Sequence, residues 1–232
     1  MRAISIVVAS PLEQTDGTVD FDEVVRRQRI VRRFEHTPVP QDVLRRIAAA
    51  AQRAPTAGFS QGQRLVIVTD EATRLGVGKA VGEPFYIDDG YGDWISGCAA
   101  QFVPCVSERV YRERYREPDK RAEDAVVGDD GDQDWPVPYW WMDIGCTTML
   151  VMLAAINEGL AAGFCGVTNG PAPLRAVLGI PEDNGPRRRH PRRLQTSGQA
   201  KPLAEARTRA FRRVRPLGAM GLTQSGLDIP PP

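Results

Sequence analysis

Arginine spacing is the first sign of chemistry in this chain. Arg26-Arg27-Gln28-Arg29-Ile30-Val31-Arg32-Arg33-Phe34 places five guanidinium groups within nine residues. Each guanidinium offers a planar fork of donors that suits phosphate. The same cluster also reads as a solvated basic face. Ile30, Val31 and Phe34 favour the first reading, because apolar neighbours would hold the arginines against a surface.

Three further stretches could carry function. Ala54-Pro55-Thr56-Ala57-Gly58-Phe59-Ser60-Gln61 follows a helix with small residues, which let backbone N–H groups approach a ligand; an ordinary loop has the same composition. Pro138-Tyr139-Trp140-Trp141 could wall a planar ligand or fill a core, and Asp143 just after it reads as a helix-cap acceptor or a functional carboxylate. Glu158-Gly159-Leu160-Ala161-Ala162-Gly163-Phe164-Cys165-Gly166 could bring main-chain donors against a ring system. Cys165 has no nearby His or Lys in sequence, so it is read as a ligand neighbour and not as a nucleophile. No G-x-S-x-G, Walker or G-x-G-x-x-G pattern occurs.

Composition removes other classes. The four cysteines, at 98, 105, 146 and 165, form no C-x-x-C pair and lie far from His36 and His190, which argues against zinc. They read as buried free thiols of a reducing cytoplasm. The apolar stretch Ile4–Ala9 is too short for a signal-peptide core. The longest apolar run, Ile144–Ile156, reaches only about 20 Å as a helix against a hydrocarbon core of roughly 30 Å. It reads as a buried helix, with no membrane partner.

The positioning elements follow from periodicity and caps. Residues 1–20 read as a ragged lead-in. Asp20 caps a short helix Phe21–Arg27, and Val43, Leu44, Ile47, Ala50 and Ala51 mark one face of a helix over Gln41–Arg53. Leu65–Thr69 and Gln101–Ser107 read as strands, Glu71–Val81 and Glu108–Arg116 as helices. Residues 117–134 read as a solvated excursion. A helix over Met142–Glu158 ends at Gly159, Ala161–Thr168 reads as a glycine-spaced strand or loop, and Pro173–Leu178 as a short helix. Alternating strands and helices over residues 20–184 predict an α/β or α+β fold.

In this order, five pieces resemble the FMN-dependent nitroreductase family, in its actinobacterial-type branch. They are Arg29–Phe34 with Pro38-Val39-Pro40, Ala54–Gly62, Pro138–Gly145, Glu158-Gly159-Leu160, and Leu178–Asp183. The resemblance implies an α+β, three-layer α/β/α fold, with a mostly antiparallel sheet flanked by helices and an intertwined homodimer. It implies FMN in the dimer cleft, with NAD(P)H as reductant and a nitroaromatic, quinone or related small molecule as electron acceptor. Arg29 and Arg32 would hold the FMN phosphate and ribityl end, beside Ile30 and Val31. Thr56, Ala57, Gly58 and Gln61 would lie along the flavin. Phe164, Cys165 and Gly166 would supply backbone contact near its reactive nitrogen. Ile30 stands where many members have Ser, and Gln63 where Trp is common. No catalytic acid–base pair is implied, because the chemistry belongs to the cofactor.

The C-terminus departs from this pattern. Residues 185–232 carry 11 Lys and Arg against Glu205 and Asp228, whereas residues 1–184 carry 19 basic against 27 acidic residues. The family pattern requires a buried strand after Ile180–Asp183. Arg187–Thr196 reads RRRHPRRLQT, which no buried strand can accommodate. Codons for that string exist whose bases, read one nucleotide later, spell VGVIPVGYK. Residues from about 185 onward are therefore read as a frameshift product, which would leave a sheet edge unpaired. Three functions stay open: an FMN-dependent oxidoreductase, an inactive or flavin-binding-only copy, and an anionic-surface or nucleic-acid binder working through the arginine tail.

Overall fold

A computed structural model describes residues 2–3, 5–11, 20–35, 37–120, 135 and 137–182. The expectations for His36, for residues 121–134 and for the basic tail fall outside the described residues. The chain divides into two units, Met1–Gly185 and Pro186–Pro232, and all described residues belong to the first.

The N-terminal segment departs most from the sequence reading. Arg2–Ala3 (β1) and Ser5–Pro11 (β2) are strands and no lead-in. The β-branched run in Ile4–Ala9, too short for a targeting core, has a strand's composition instead. Gln63–Val68 (β3), Ala100–Val106 (β4) and Leu160–Cys165 (β5) complete an antiparallel sheet. β4 pairs with β3 on one side and with β1 and β2 on the other; β2 then pairs with β5. The position between β4 and β5 is thus filled by β2.

Two helical layers cover the sheet. Phe21–Arg27 (α1) is capped by the Asp20 carboxylate, which accepts from the Asp22 N–H. Gln41–Ala51 (α2) and Tyr139–Asn157 (α6) share a core with Ala100, Phe102 and Ala162. Glu71–Val81 (α3) and Pro171–Leu178 (α7) pack against Val103, Cys105 and Cys165. The alternation of β4 between these cores is the period-2 pattern of a strand covered on both faces. This is the α+β, helix–sheet–helix architecture the resemblance implied.

Two helices correct the sequence reading. Glu83–Asp88 (α4) was unforeseen; it starts at Gly82, whose φ of 97° closes α3 and opens α4. α6 has 19 residues, about 28 Å, and is long and apolar enough to span a membrane. Its face bearing Val151, Met152 and Ala155 nevertheless packs on α2 and the sheet, and the Thr147 and Thr148 hydroxyls donate back to the Asp143 and Ile144 carbonyls. Glu108–Tyr115 (α5) follows β4. Cys98, Cys105 and Cys165 are buried as expected, but Cys146 is exposed on α6. Burial pushes the Cys98 thiol up to about 12 and the Cys105 thiol up to about 11.

Candidate functional site

The segment after α1 runs along β5. The Val31 N–H donates to the Ala162 carbonyl at 3.0 Å. A Cβ on Gly163 would collide with the Val31 carbonyl and come within 2.9 Å of the Trp94 ring, so only glycine permits this approach. Val31 is thereby held against Ala162 and Gly163, immediately before Phe164 and Cys165 of β5 and Gly166 just after it. Cys165 is buried, Phe164 and Gly166 are exposed, and nothing lies within 4 Å of a Cβ built on Gly166. Arg29 and Ile30 lie on the exposed side of the segment. The Arg32 guanidinium lies 5.1 Å from the Tyr91 ring centroid and 5.7 Å from that of Trp94.

A second group forms at the 3-10 turn Ala57–Phe59. One Asp143 carboxylate oxygen accepts from the Ala57 N–H at 2.7 Å and from the Tyr111 hydroxyl at 2.7 Å. Asp143 lies within α6 and is 8% exposed, so it is no helix cap. Burial, reinforced by Asp143, pushes the Tyr111 hydroxyl far above its ordinary value and keeps it a donor. Arg114 Nε donates to the Gly58 carbonyl at 2.9 Å, and Gln61 N–H to Thr56 Oγ1 at 3.2 Å. Gly58, Phe59 and Gln61 all have left-handed backbone, with φ of 61°, 55° and 51°. For Phe59 and Gln61 this costs energy that the hydrogen bonds around them must offset. Phe59 is 73% exposed. A cavity of about 990 Å³ opens beside the turn, lined among others by Arg53, Thr56, Phe59, Gln61, Arg64 and Thr147.

The predicted residues therefore assemble in two groups, not one. The pairings Gln63 with Val106, Arg2 with Val106 and Ser5 with Cys165 put the turn and the end of β5 at the same end of the sheet. They stand on the two outer strands among those described, three strand spacings or about 14 Å apart. The aromatic stretch Tyr139–Trp141 fills a core: Trp135 and Trp140 are buried against Tyr111, and Tyr115 and Trp141 pack beside them.

Sequence reasoning passed over residues 82–99, which carry Tyr91 and Trp94. The buried Glu83 carboxylate accepts from the Ile95 and Ser96 N–H groups at 2.7 and 2.8 Å and fixes this turn. Gly90 and Gly92 around Tyr91 were the available sign of an ordered turn.

Comparison with known proteins converges on one family. The nitroreductase family model matches residues 25–187. An NADH dehydrogenase of Thermus thermophilus is 27% identical over 179 residues, which is 73% of this chain and 84% of that protein. A nitroreductase family protein of Clostridium novyi superposes with a TM-score of 0.53 at 16% identity, over 71% of this chain and 80% of that one. The NADPH:FMN oxidoreductase of Vibrio harveyi, solved with NAD+, gives 0.50 at 20% identity, over 70% of this chain and 63% of that one. The fold and the match to 25–187 agree, and the chain belongs to the nitroreductase family of NAD(P)H-dependent oxidoreductases.

Proposed function

We propose that the chain is a cytoplasmic, homodimeric, FMN-dependent enzyme that moves reducing equivalents from NAD(P)H to a nitroaromatic, quinone or related small acceptor. The observation that carries this reading is the close approach of Val31, next to Arg32, to Ala162 and Gly163 of β5, the strand that leads into Phe164–Gly166. The residues present fit an FMN there. Among the described residues the Arg32 guanidinium has no carboxylate or hydrogen-bond partner, so its fork is open to a phosphate. Gly166 leaves its backbone accessible to a flat ring. The Vibrio harveyi neighbour is an NADPH:FMN oxidoreductase, which supports the choice of cofactor.

When bound, FMN supplies the hydride-accepting and hydride-donating ring. The chain's own residues bind and orient. Arg29 and Arg32 neutralise the phosphate, and Phe164–Gly166 present main chain to the ring. Thr56, Ala57, Gly58 and Gln61, held by Asp143, Tyr111 and Arg114, supply a second wall. We assign that wall to the partner protomer, because the two groups stand on opposite outer strands of one sheet. The exposed apolar stripe Met142, Cys146 and Met149 on α6 supports a second copy seated there.

The tail belongs to this proposal as a departure from the domain. The family match stops at residue 187, where the arginine run begins. That termination supports a frame change near residue 185, and it favours the oxidoreductase reading over an anionic-surface binder. The test is purification with added FMN. A yellow dimer that oxidises NAD(P)H with a quinone or nitroarene supports the reading. A colourless chain without turnover overturns it.

A further inference from the structure

We propose that Tyr91 and Trp94 are positioning residues that hold Arg32 by its flat face and leave its hydrogen-bonding edge open for an anionic group of the cofactor. The proposal rests on the flavin reading above and names how one of its residues is held.

Most arginines with a described partner are tied to carboxylates. Arg26 and Arg27 pair with Glu23, Arg46 with Asp42 and Glu158, Arg109 with Glu113, and Arg175 with Glu182. Arg112 also stacks, on Trp135 and Trp140, but it is paired with Glu108. Arg32 is held differently. Its guanidinium sits within 6 Å of two ring centroids, the range of a cation–π contact. No carboxylate or carbonyl accepts from it among the described residues.

The distinction has a chemical consequence. A carboxylate partner takes two of the five guanidinium donors, whereas a ring engages the π face and takes none. Aromatic stacking therefore lowers the entropy of a long side chain while keeping its fork intact for bidentate recognition.

The rings are themselves fixed. Tyr86 meets Trp94 edge-on at 5.4 Å and Tyr91 at 6.3 Å. Glu83 anchors the Ile95 and Ser96 backbone immediately after Trp94. Trp94 is 4% exposed, touches the Gly163 position of β5, and its indole N–H has no acceptor among the described residues. A second unclaimed donor therefore lies in the same contact as Arg32. Neither an apolar packing role nor a surface role for Tyr91, which is 51% exposed, explains that combination.

The experiment titrates FMN and riboflavin into the full chain and into Tyr91→Leu, Tyr91→Phe, Arg32→Gln and the Arg32→Gln/Tyr91→Leu double variant. Loss of a cation–π contact predicts an FMN affinity about three- to tenfold weaker in Tyr91→Leu. Riboflavin, which lacks the phosphate, should bind Tyr91→Leu as it binds the original chain. Tyr91→Phe should retain FMN affinity, and Tyr91→Leu should add nothing in the Arg32→Gln background. Equal losses for both flavins, no loss, or additive losses would each overturn the proposal. If the chain binds neither flavin, the flavin reading fails separately. The positioning is then read in the ligand-free chain from the Arg32 Nε–H proton resonance. Ring currents should displace it from its free position, and Tyr91→Leu should return it; an unchanged resonance overturns the proposal.

Discussion

The Asp143 carboxylate holds the Ala57 N–H at 2.7 Å, although 86 residues separate them. The same oxygen accepts from Tyr111, so one buried carboxylate ties α5, α6 and the Ala57–Phe59 turn together. Asp143→Ala leaves the buried Tyr111 hydroxyl without its acceptor, at about 1–3 kcal/mol, and the half-buried Ala57 N–H at less. Tyr111→Phe removes one donor and leaves the carboxylate bound to Ala57, so it should cost about 1 kcal/mol. Urea unfolding of the two variants should show this order. Equal midpoints would mean that the turn does not depend on Asp143.

The α6 surface leads to a second prediction. Met142, Cys146 and Met149 are exposed on one side of an otherwise packed apolar helix. A second copy covering this face should make Cys146 slow toward a thiol reagent at protein concentrations where the dimer forms. Met149→Arg buries a charge in that contact and should yield a monomer. Its Cys146 should then react quickly, while Cys98 and Cys105 stay inert because their thiols are buried and hard to ionise. Sedimentation and thiol counting read both effects. A monomer whose Cys146 already reacts fast in the original chain would rule out this interface.

Legibility in the sequence followed locality. α1 and α3 were readable end to end from local signals, the Asp20 cap for α1 among them, and the structure adds Asp70 as the cap of α3. The arginine segment and the Thr56–Gln61 turn stood out by residue type. Their separation into two groups did not, because it follows from the order of strands in the sheet. Asp143 stayed open between a cap and a functional carboxylate because sequence shows only its neighbours, whereas its partners lie 32 and 86 positions away. β2 was missed for the same reason: a short apolar stretch becomes a central strand only when β4 and β5 flank it.

A site divided between protomers predicts complementation. Arg32→Ala removes the phosphate partner of one group. Gly58→Ala strains the other, since its φ is 61° and a Cβ would stand 2.8 Å from the Tyr115 ring. Each variant alone should lose most NAD(P)H oxidation. A mixed dimer carries one of its two sites with both groups intact, so refolding an equal mixture, in which about half the dimers are mixed, should restore about a quarter of the activity, and the isolated mixed dimer about half. No recovery in a verified mixed dimer would place both groups in one protomer.

Arg114 couples the turn to acid. Its guanidinium donates to the Gly58 carbonyl and pairs with Asp119, whose carboxyl the Arg114 hydrogen bond holds down to about 2 from an ordinary 3.8. A carboxylate whose folded pKa is depressed contributes stability above its unfolded value and loses it as pH falls toward the folded one. The difference in stability between the original chain and Asp119→Asn should therefore be present at neutral pH and vanish between pH 4 and pH 2. Asp119 is exposed, so the difference should be small and reduced by salt. A difference that grows on acidification would contradict this pairing.

The strand between β4 and β5 lies outside the matched family domain. β2 spans Ser5–Pro11, whereas the match begins at residue 25. Among the described residues β2 pairs with β4 on one side and with β5 on the other. Removing residues 1–12 would strip partners from β4 and β5 together and leave both with unpaired backbone groups, each costly when buried. That deletion should abolish cooperative unfolding. A chain ending at residue 185 should unfold as the full chain does, because among the described residues the sheet draws on nothing after Cys165. The coding DNA supplies an independent check, since the frame change requires an apolar strand in the alternative frame over residues 187–196.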